Sequence, residues 1–113
     1  MLQLGAARRD AEGDIVAQFR RTHGIHGREL AVFLSRIEPD KGVDLLLRAF
    51  ARLRTARPHA KLAVIGKGSH KEPMERLALE LGLGDSVIFT GAIYDDDALA
   101  PWMLSAGAFA GRR

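Results

Sequence analysis

Two cations and the start of a helix lie close together in the first half of the sequence. Arg36 and Lys41 are five residues apart, and Gly42 follows where a strand-like apolar segment gives way to a helical pattern. An arginine fork, a lysine ammonium and the free N–H groups of a helix start together suit a diphosphate. Two solvated loop charges would show the same spacing, so both interpretations stay open at this level.

A pair of glycines, Gly66 and Gly68, follows the next apolar segment. Glycine lets the backbone approach a ligand where a side chain would collide, although a plain turn between a strand and a helix has the same residues. The fingerprint of dinucleotide-binding proteins requires a third glycine three residues later. Lys71 occupies that position, so the sequence does not support a standard NAD site.

Other polar side chains are assigned structural roles. Acidic residues at a helix start complement the helix dipole, so Asp95–Asp97 predict a helix start rather than a metal site, and no metal is expected. Glu72 and Glu80 are interpreted as solvated helix charges, and Trp102 as a packing residue. The histidines show no paired ligand spacing and are expected in loops and at the surface: His23, His26, His59 and His70.

Short apolar segments alternate with amphipathic stretches along the chain. The apolar segments predict strands at Leu30–Leu34, Leu62–Ile65 and Val87–Phe89, with a fourth starting within 106–110. Apolar residues at helical spacing predict helices over 8–23, 42–57, 74–81 and 95–104, the third of them capped by Gly82. Continuous apolar strands joined through helices are typical of a parallel sheet covered on both faces. The expected fold class is therefore α/β, with a Rossmann-like parallel sheet and flanking helices.

The ligands of open α/β sheets bind outside the carboxyl ends of the strands. Three segments of this chain come directly after predicted strands: 35–42, 66–69 and 91–95. They bring Arg36, Lys41, the glycine pair and the backbone near Ile93 to one edge of the sheet. That edge is the predicted ligand site, with the backbone near Ile93 as a candidate contact for a flat base.

The composition disfavours several classes of function. The chain has 17 basic and 14 acidic residues and no compact basic cluster, whereas nucleic-acid binding requires a basic stripe or stacking aromatics. Cysteine is absent, which rules out disulfides and thiolate metal sites. No apolar segment reaches the roughly 18 residues of a membrane span, and residues 1–9 lack the apolar core of a signal peptide. A cytoplasmic location is expected, with no nucleic-acid partner.

From about Leu30 to Ala106 the sequence resembles the C-terminal domain of family 4 glycosyltransferases, which are retaining enzymes of the GT-B fold. Four blocks carry the resemblance in the family's order: FLSRIEPDKGV at 33–43, LAVIGKG at 62–68, LGLGDSVIFTG at 81–91, and a helix at 99–106 that contains Trp102. Ser35 stands where the family more usually has a glycine before the arginine. Serine is small, so we expect little loss from this departure.

The resemblance implies a role for each matching position. The ligand would be a nucleotide-sugar donor, a UDP- or GDP-sugar, with no further cofactor. Arg36 and Lys41 would be the catalytic residues, which bind the diphosphate and stabilise the charge developing on the leaving group. The residues implied to lie beside the nucleotide are Gly42, Gly66, Gly68 and Ile93, the last of which would contact the base through its backbone.

The resemblance also implies that parts of the family's architecture are missing from these residues. Family members carry two glutamates separated by seven residues after the fourth strand, and an N-terminal domain that supplies the acceptor site. We divide the chain into an N-terminal helix and linker, 1–27, and a partial nucleotide-sugar-binding Rossmann-like domain, 28–113, which is an incomplete GT-B C-terminal domain. We expect these residues alone to transfer no sugar. The acceptor stays unknown, and peripheral membrane association of the parent enzyme stays open.

Two other interpretations remain. A truncated, non-catalytic remnant or interaction module would keep the Rossmann-like fold, and its unpaired sheet edge would favour self-association. Another nucleotide-binding α/β protein, such as a sugar-nucleotide epimerase, would carry the third glycine that Lys71 replaces.

Overall fold

The structure, a computed structural model, describes residues 15–26 and 29–112. In these residues a helix, α1, covers 15–23, and four strands alternate with three further helices. The strands are β1 (Leu30–Leu34), β2 (Lys61–Ile65), β3 (Val87–Gly91) and β4 (Ala108–Arg112). The further helices are α2 (Val43–Ala56), α3 (Lys71–Glu80) and α4 (Asp96–Ser105), with 3₁₀ turns at Pro39–Lys41 and Gly84–Ser86.

The four strands form one parallel sheet in the order β3-β2-β1-β4. Where the strands end, Leu34 of β1 lies beside Ile65 of β2, and Ile65 lies beside Gly91 of β3. Parallel neighbours need a crossover segment, which α2, α3 and α4 supply. The predicted fold class, an α/β protein with a Rossmann-like parallel sheet and flanking helices, is confirmed.

One face of the sheet is covered by α2 and α3. Its core combines alternate strand residues such as Leu62 and Val64 with a helical stripe of Val43, Leu47 and Phe50. Each of these residues is at most 4% exposed, and burying a side chain of this kind contributes about 1.5–3 kcal/mol. This burial holds the start of α2, and the loop that precedes it, against the end of the sheet.

The other face is covered by α1 and α4. Trp102 of α4 is 7% exposed and packs in a cluster with Ile65 of β2. Phe19 and His23 of α1 meet the Trp102 ring at steep angles, with centroid distances of 4.7 and 4.8 Å, a geometry that aromatic rings prefer. The prediction that Trp102 is a packing residue is confirmed.

The predicted N-terminal segment, 1–27, is described in part. Its residues 15–26 pack on the α4 face, where Ile25 is buried, and the predicted helical residues 8–14 lie outside the described residues. Among the helices that the structure describes, none combines the length and the apolar character that crossing a bilayer requires.

Local signals determine where α2 and α3 end. α2 ends at Ala56, two residues before Pro58, because the residue preceding a proline is pushed out of the helical region. After α3, Gly82 has a φ of +74°, and the Leu83 N–H donates to the Ala78 carbonyl at 2.9 Å. This is the Schellman arrangement, so the predicted glycine cap is confirmed.

The strands β3 and β4 extend further than their apolar residues indicated. β3 continues to Gly91, which pairs with Ile65 of β2, and β4 reaches Arg112, which pairs with Leu34 of β1. Backbone pairing with the neighbouring strand, rather than apolar content, therefore sets these two ends.

Candidate functional site

A cleft of about 420 Å³ opens at the carboxyl edge of the sheet. We call it the carboxyl-edge cleft. Residues at and after the ends of β1 and β2, the segment after β3, and one residue of α4 line it: Leu34, Ser35, Arg36, Ile65, Gly66, Lys67, Ala92, Ile93, Tyr94 and Leu99. The cleft lies where open α/β sheets bind their ligands.

The loops after β1 and β2 are joined through their backbones. The Ser35 N–H donates to the Ile65 carbonyl at 3.1 Å, and the Ile37 N–H donates to the Lys67 carbonyl at 2.9 Å. The His70 N–H donates to the Ile37 carbonyl, also at 2.9 Å. Hydrogen bonding between these two segments thus continues beyond the strand ends, which gives the cleft a continuous backbone floor.

Gly66 and Gly68 permit this close approach. A Cβ on Gly66 would lie 1.7 Å from the Ser35 carbonyl oxygen, and one on Gly68 would lie 2.2 Å from the Ile37 carbonyl oxygen. Gly66 also has a φ of +152°, which residues with a Cβ rarely adopt. The contact between the two loops therefore requires both glycines, independently of any ligand.

Glu38 connects the same two loops through its side chain. Its Oε1 accepts hydrogen bonds from the Ser69 hydroxyl and, at 3.2 Å, from the Ser69 N–H. Its Oε2 accepts from Arg36 Nη2 at 3.2 Å. The Ser69 hydroxyl, and after it the Arg36 guanidinium, hold the pKa of Glu38 below its ordinary value of 4.5. An ionised carboxylate therefore orients Arg36 at neutral pH.

The two cations of the sequence prediction occupy different surroundings. Arg36 lines the carboxyl-edge cleft, and its side chain is 76% exposed. Lys41 ends the 3₁₀ turn, its Nζ lies 3.8 Å from Asp40 Oδ2, and it is not among the cleft-lining residues. Gly42, with a φ of +77°, joins this turn to α2 and is also outside the cleft lining.

The structure brings three of the predicted site residues into one cleft: Arg36, Gly66 and Ile93. Gly68 packs against the loop after β1, and the ligand roles assigned to all of these residues stay predictions. The apolar side chains of Leu34 and Leu99 also line the cleft. An anionic group and a flat apolar ring would therefore each find complementary surface here.

Two further residues of the cleft were not identified from the sequence. Lys67 Nζ lies 5.9 Å from the centre of the Tyr94 ring, within the range of a cation–π contact, and both residues line the cleft. Tyr94 is 81% exposed, so much of its ring is accessible to a ligand. The sequence signal for Lys67 is its position between Gly66 and Gly68, whereas nothing local to Tyr94 singles it out.

The acidic residues assigned to a helix start do occupy one. Asp95 Oδ1 accepts a hydrogen bond from the Asp97 N–H at 3.1 Å and caps α4. Glu72 and Glu80 are exposed on α3. Within 15–26 and 29–112, no group of three or more histidine, aspartate or glutamate side chains is arranged to hold a metal ion.

The family model described as glycosyl transferases group 1 matches residues 16–110. A Rossmann-like parallel sheet with a cleft at its carboxyl edge is the architecture expected of the C-terminal-type region of GT-B glycosyltransferases. Because the family model matches most of this chain, the chain belongs to the group 1 glycosyltransferase family.

Curated relatives share clear sequence identity with the chain. It is 40% identical over 80 residues to GDP-mannose-dependent alpha-(1-6)-phosphatidylinositol monomannoside mannosyltransferase of Mycolicibacterium smegmatis, a match to 71% of this chain and 21% of that protein. The protein of the same name from Mycobacterium tuberculosis H37Rv is 35% identical over 81 residues, a match to 72% of this chain and 21% of that protein. The chain therefore spans about a fifth of the length of these relatives.

Solved structures share the fold. The C-terminal domain of a glycosyl transferase group 1 family protein from Francisella tularensis matches 79% of this chain and 48% of that chain, with a TM-score of 0.65 and 23% identity. Anabaena HepE, solved in complex with UDP and glucose, matches 82% of this chain and 25% of that chain, with a TM-score of 0.66 and 21% identity.

The close contact at Gly66 predicts a large loss of stability in Gly66→Ala. We expect the free energy of unfolding to fall by at least about 3 kcal/mol, because overpacking against the Ser35 carbonyl adds to the cost of the backbone conformation. Urea unfolding followed by circular dichroism measures this change.

Gly82→Ala is the matched control, because Gly82 also has a positive φ but a Cβ there would meet nothing within 4 Å. We expect this control to lose about 1–2 kcal/mol, the cost of the left-handed conformation alone. Equal losses in the two variants would show that the approach of the two loops is not a constraint.

The contacts of Glu38 predict a pH-dependent contribution to stability. The pKa of Glu38 is lower in the folded protein than its ordinary value of 4.5. The ionised carboxylate therefore contributes its full stabilisation above pH 4.5, and this stabilisation is lost as the pH falls through the lowered pKa of the folded protein. We expect Glu38→Gln to be less stable than the wild type at pH 7, and the difference to shrink as the pH falls below 4.5. Urea unfolding at each pH tests this, with Glu75→Gln on the exposed surface of α3 as the control. A difference that stays constant with pH would contradict the assignment.

Proposed function

We propose that this chain is the donor-binding part of a retaining glycosyltransferase that moves a sugar from a nucleotide-sugar to an acceptor. The observation that carries the proposal is the carboxyl-edge cleft, where Arg36 and Lys67 stand on adjacent loops beside the backbone of Gly66. A diphosphate needs two or three cationic or N–H donors in one place, and the apolar part of the cleft suits a base or a sugar ring.

Electrostatics would be the contribution of these residues to the reaction. As the sugar leaves, negative charge develops on the nucleoside diphosphate, and donors already aimed at that charge lower the barrier. The guanidinium of Arg36 has five N–H donors, so it can keep its bond to Glu38 while it binds a phosphate oxygen. Lys67 would add a second positive charge from the neighbouring loop.

The same proposal includes the ligand-binding roles predicted for four further residues: Lys41, Gly42, Gly68 and Ile93. Lys41 has a flexible stem and a single partner contact, at 3.8 Å from Asp40 within the described residues, and turning this side chain would be needed to reach the cleft. Gly42 would contribute the start of α2, Gly68 would support the loop beside the nucleotide, and the Ile93 backbone would contact the base.

The donor in this proposal is a UDP- or GDP-sugar, bound without a metal or a further cofactor. The relatives from Mycolicibacterium smegmatis and Mycobacterium tuberculosis are named as GDP-mannose-dependent mannosyltransferases, which favours a GDP-sugar as the donor. The Anabaena structure, in contrast, contains UDP. A cytoplasmic location stays a prediction, the acceptor stays unknown, and peripheral association of the parent enzyme with membranes stays open.

The binding role of Arg36 predicts a loss of affinity in Arg36→Ala. Removing one charge-assisted contact to a phosphate costs about 1.5–3 kcal/mol, which corresponds to about 10- to 150-fold in the Kd for GDP or UDP. Isothermal titration calorimetry with each nucleotide measures the change and also identifies the preferred base.

Arg52→Ala is the matched control, because it removes the same charge from an exposed position on α2. We expect its Kd for the nucleotide to equal that of the wild type. If Arg36→Ala also binds as tightly as the wild type, the carboxyl-edge cleft is not the donor site.

Self-association through a sheet edge also stays a prediction. In the described residues β3 and β4 are the outer strands, and outer strands present unpaired backbone groups to other chains. We expect multi-angle light scattering to report a mass above 12.3 kDa that rises with protein concentration. A constant mass equal to the monomer would contradict this expectation.

A further inference from the structure

A second pocket, of about 490 Å³, opens at the opposite edge of the sheet. Lys61 at the start of β2 lines it, whereas Ile65 at the end of β2 lines the carboxyl-edge cleft. Four residue steps along a strand span about 13 Å, so the two pockets are separate. We call the second one the amino-edge pocket. The rest of its lining comes from residues after α1, from the end of α2 and the segment that follows it, and from the region of the 3₁₀ turn before β3.

The amino-edge pocket carries an excess of positive charge. Lys61 and Arg54 are charged at neutral pH, and His26 and His59 line the same pocket. Asp85, on the turn before β3, is the acidic residue of the lining. Within the described ranges, the ion pairs shorter than 4 Å involve neither Lys61, Arg54 nor Asp85. Two cationic side chains therefore line this pocket, and no carboxylate of the described ranges lies within 4 Å of their charged groups.

Arg54 is held in place by backbone carbonyls, and the Lys61 side chain lies beside a glycine. Arg54 donates from Nε to the Ala60 carbonyl at 3.2 Å and from Nη2 to the Pro58 carbonyl, which leaves other guanidinium N–H donors for a ligand. Lys61 Nζ lies 3.4 Å from where a Cβ on Gly24 would stand. The bare glycine thus leaves space beside the ammonium, and the Arg54 guanidinium is oriented before any ligand arrives.

His26 and His59 form a stacked pair at this pocket. Their ring centroids are 4.7 Å apart, and the ring planes are tilted by 31°. Both residues are exposed, so a ligand can reach both rings. Arg54 and Lys61 line the same pocket, with Asp85 as the opposing charge. An anion bound there would be attracted by the two cations and could accept hydrogen bonds from imidazole N–H groups.

We propose that the amino-edge pocket binds a phosphate group through Lys61, Arg54 and the stacked pair of His26 and His59. The group would belong to a soluble phosphate ester or to the headgroup of a phospholipid, since both present the same oxygen atoms to these donors. The proposal does not depend on the donor site, because none of these residues lines the carboxyl-edge cleft.

A titration with sulfate tests the proposal, because sulfate is a dianion with the tetrahedral oxygens of phosphate. In ¹H–¹⁵N and histidine-ring NMR spectra of the full chain, we expect saturable shifts at His26, His59 and Lys61. Absence of saturable shifts at these residues would overturn the proposal.

Lys61→Met keeps the apolar stem and removes the charge, and we expect it to weaken sulfate binding about tenfold or more. His59→Gln at an exposed position is the second variant, should Lys61→Met prove unstable, and it is also expected to weaken sulfate binding. Arg76→Met on the exposed surface of α3 is the matched control and is expected to bind sulfate as the wild type does. Equal binding by the wild type and by both pocket variants would overturn the proposal.

Two further titrations distinguish the sources of the phosphate group. Glycerol 3-phosphate represents the soluble ester, and vesicles of phosphatidylcholine with or without phosphatidylglycerol represent the lipid. If the chain binds one of these two probes and Lys61→Met weakens that binding, the proposal is supported and the source of the phosphate group is identified. If the chain binds neither probe, the proposal is overturned. Lys61→Met is expected to leave the Kd for GDP unchanged, which separates this site from the donor site.

Discussion

The close contact between the loops after β1 and β2 is the constraint on which the rest of the site depends. Two backbone segments of the chain approach each other where Gly66 faces the Ser35 carbonyl and Gly68 faces the Ile37 carbonyl. Hydrogen bonds across this contact continue beyond the strand ends. Since a Cβ at either glycine would separate the loops, the floor of the carboxyl-edge cleft exists because these side chains are absent.

The charged groups of the cleft are arranged on that backbone floor. Glu38 bonds to Ser69 across the two loops and to Arg36 beside it, so the contact that closes the floor also orients the guanidinium. Lys67 approaches from the second loop and lies over Tyr94. Positive charge is therefore preorganised at the strand ends, and preorganised charge is most effective where a reaction develops negative charge.

The family relationship and the geometry agree on the fold. The group 1 glycosyltransferase model matches most of the chain, and a solved domain from Francisella tularensis shares the architecture. The carboxyl-edge cleft lies where open α/β sheets bind their ligands. The amino edge is a different surface, where Lys61 and Arg54 meet the stacked histidines His26 and His59. One arginine is held by the fold at each edge, Arg36 by the Glu38 carboxylate and Arg54 by the carbonyls of Ala60 and Pro58, so neither cluster is a consequence of net charge alone.

Local sequence patterns by themselves determined the elements: apolar segments became the strands of the sheet, the stripe through Leu47 became α2, and Gly82 became a helix cap. The edge of the sheet that holds the cleft also followed, because parallel strands end on one side. Tertiary structure alone decided that Gly66 faces a protein carbonyl, that Lys67 meets Tyr94, and that two histidines stack. These contacts join residues far apart in the chain, and their positions are set by strand register and by the packing of helices, which no local pattern encodes.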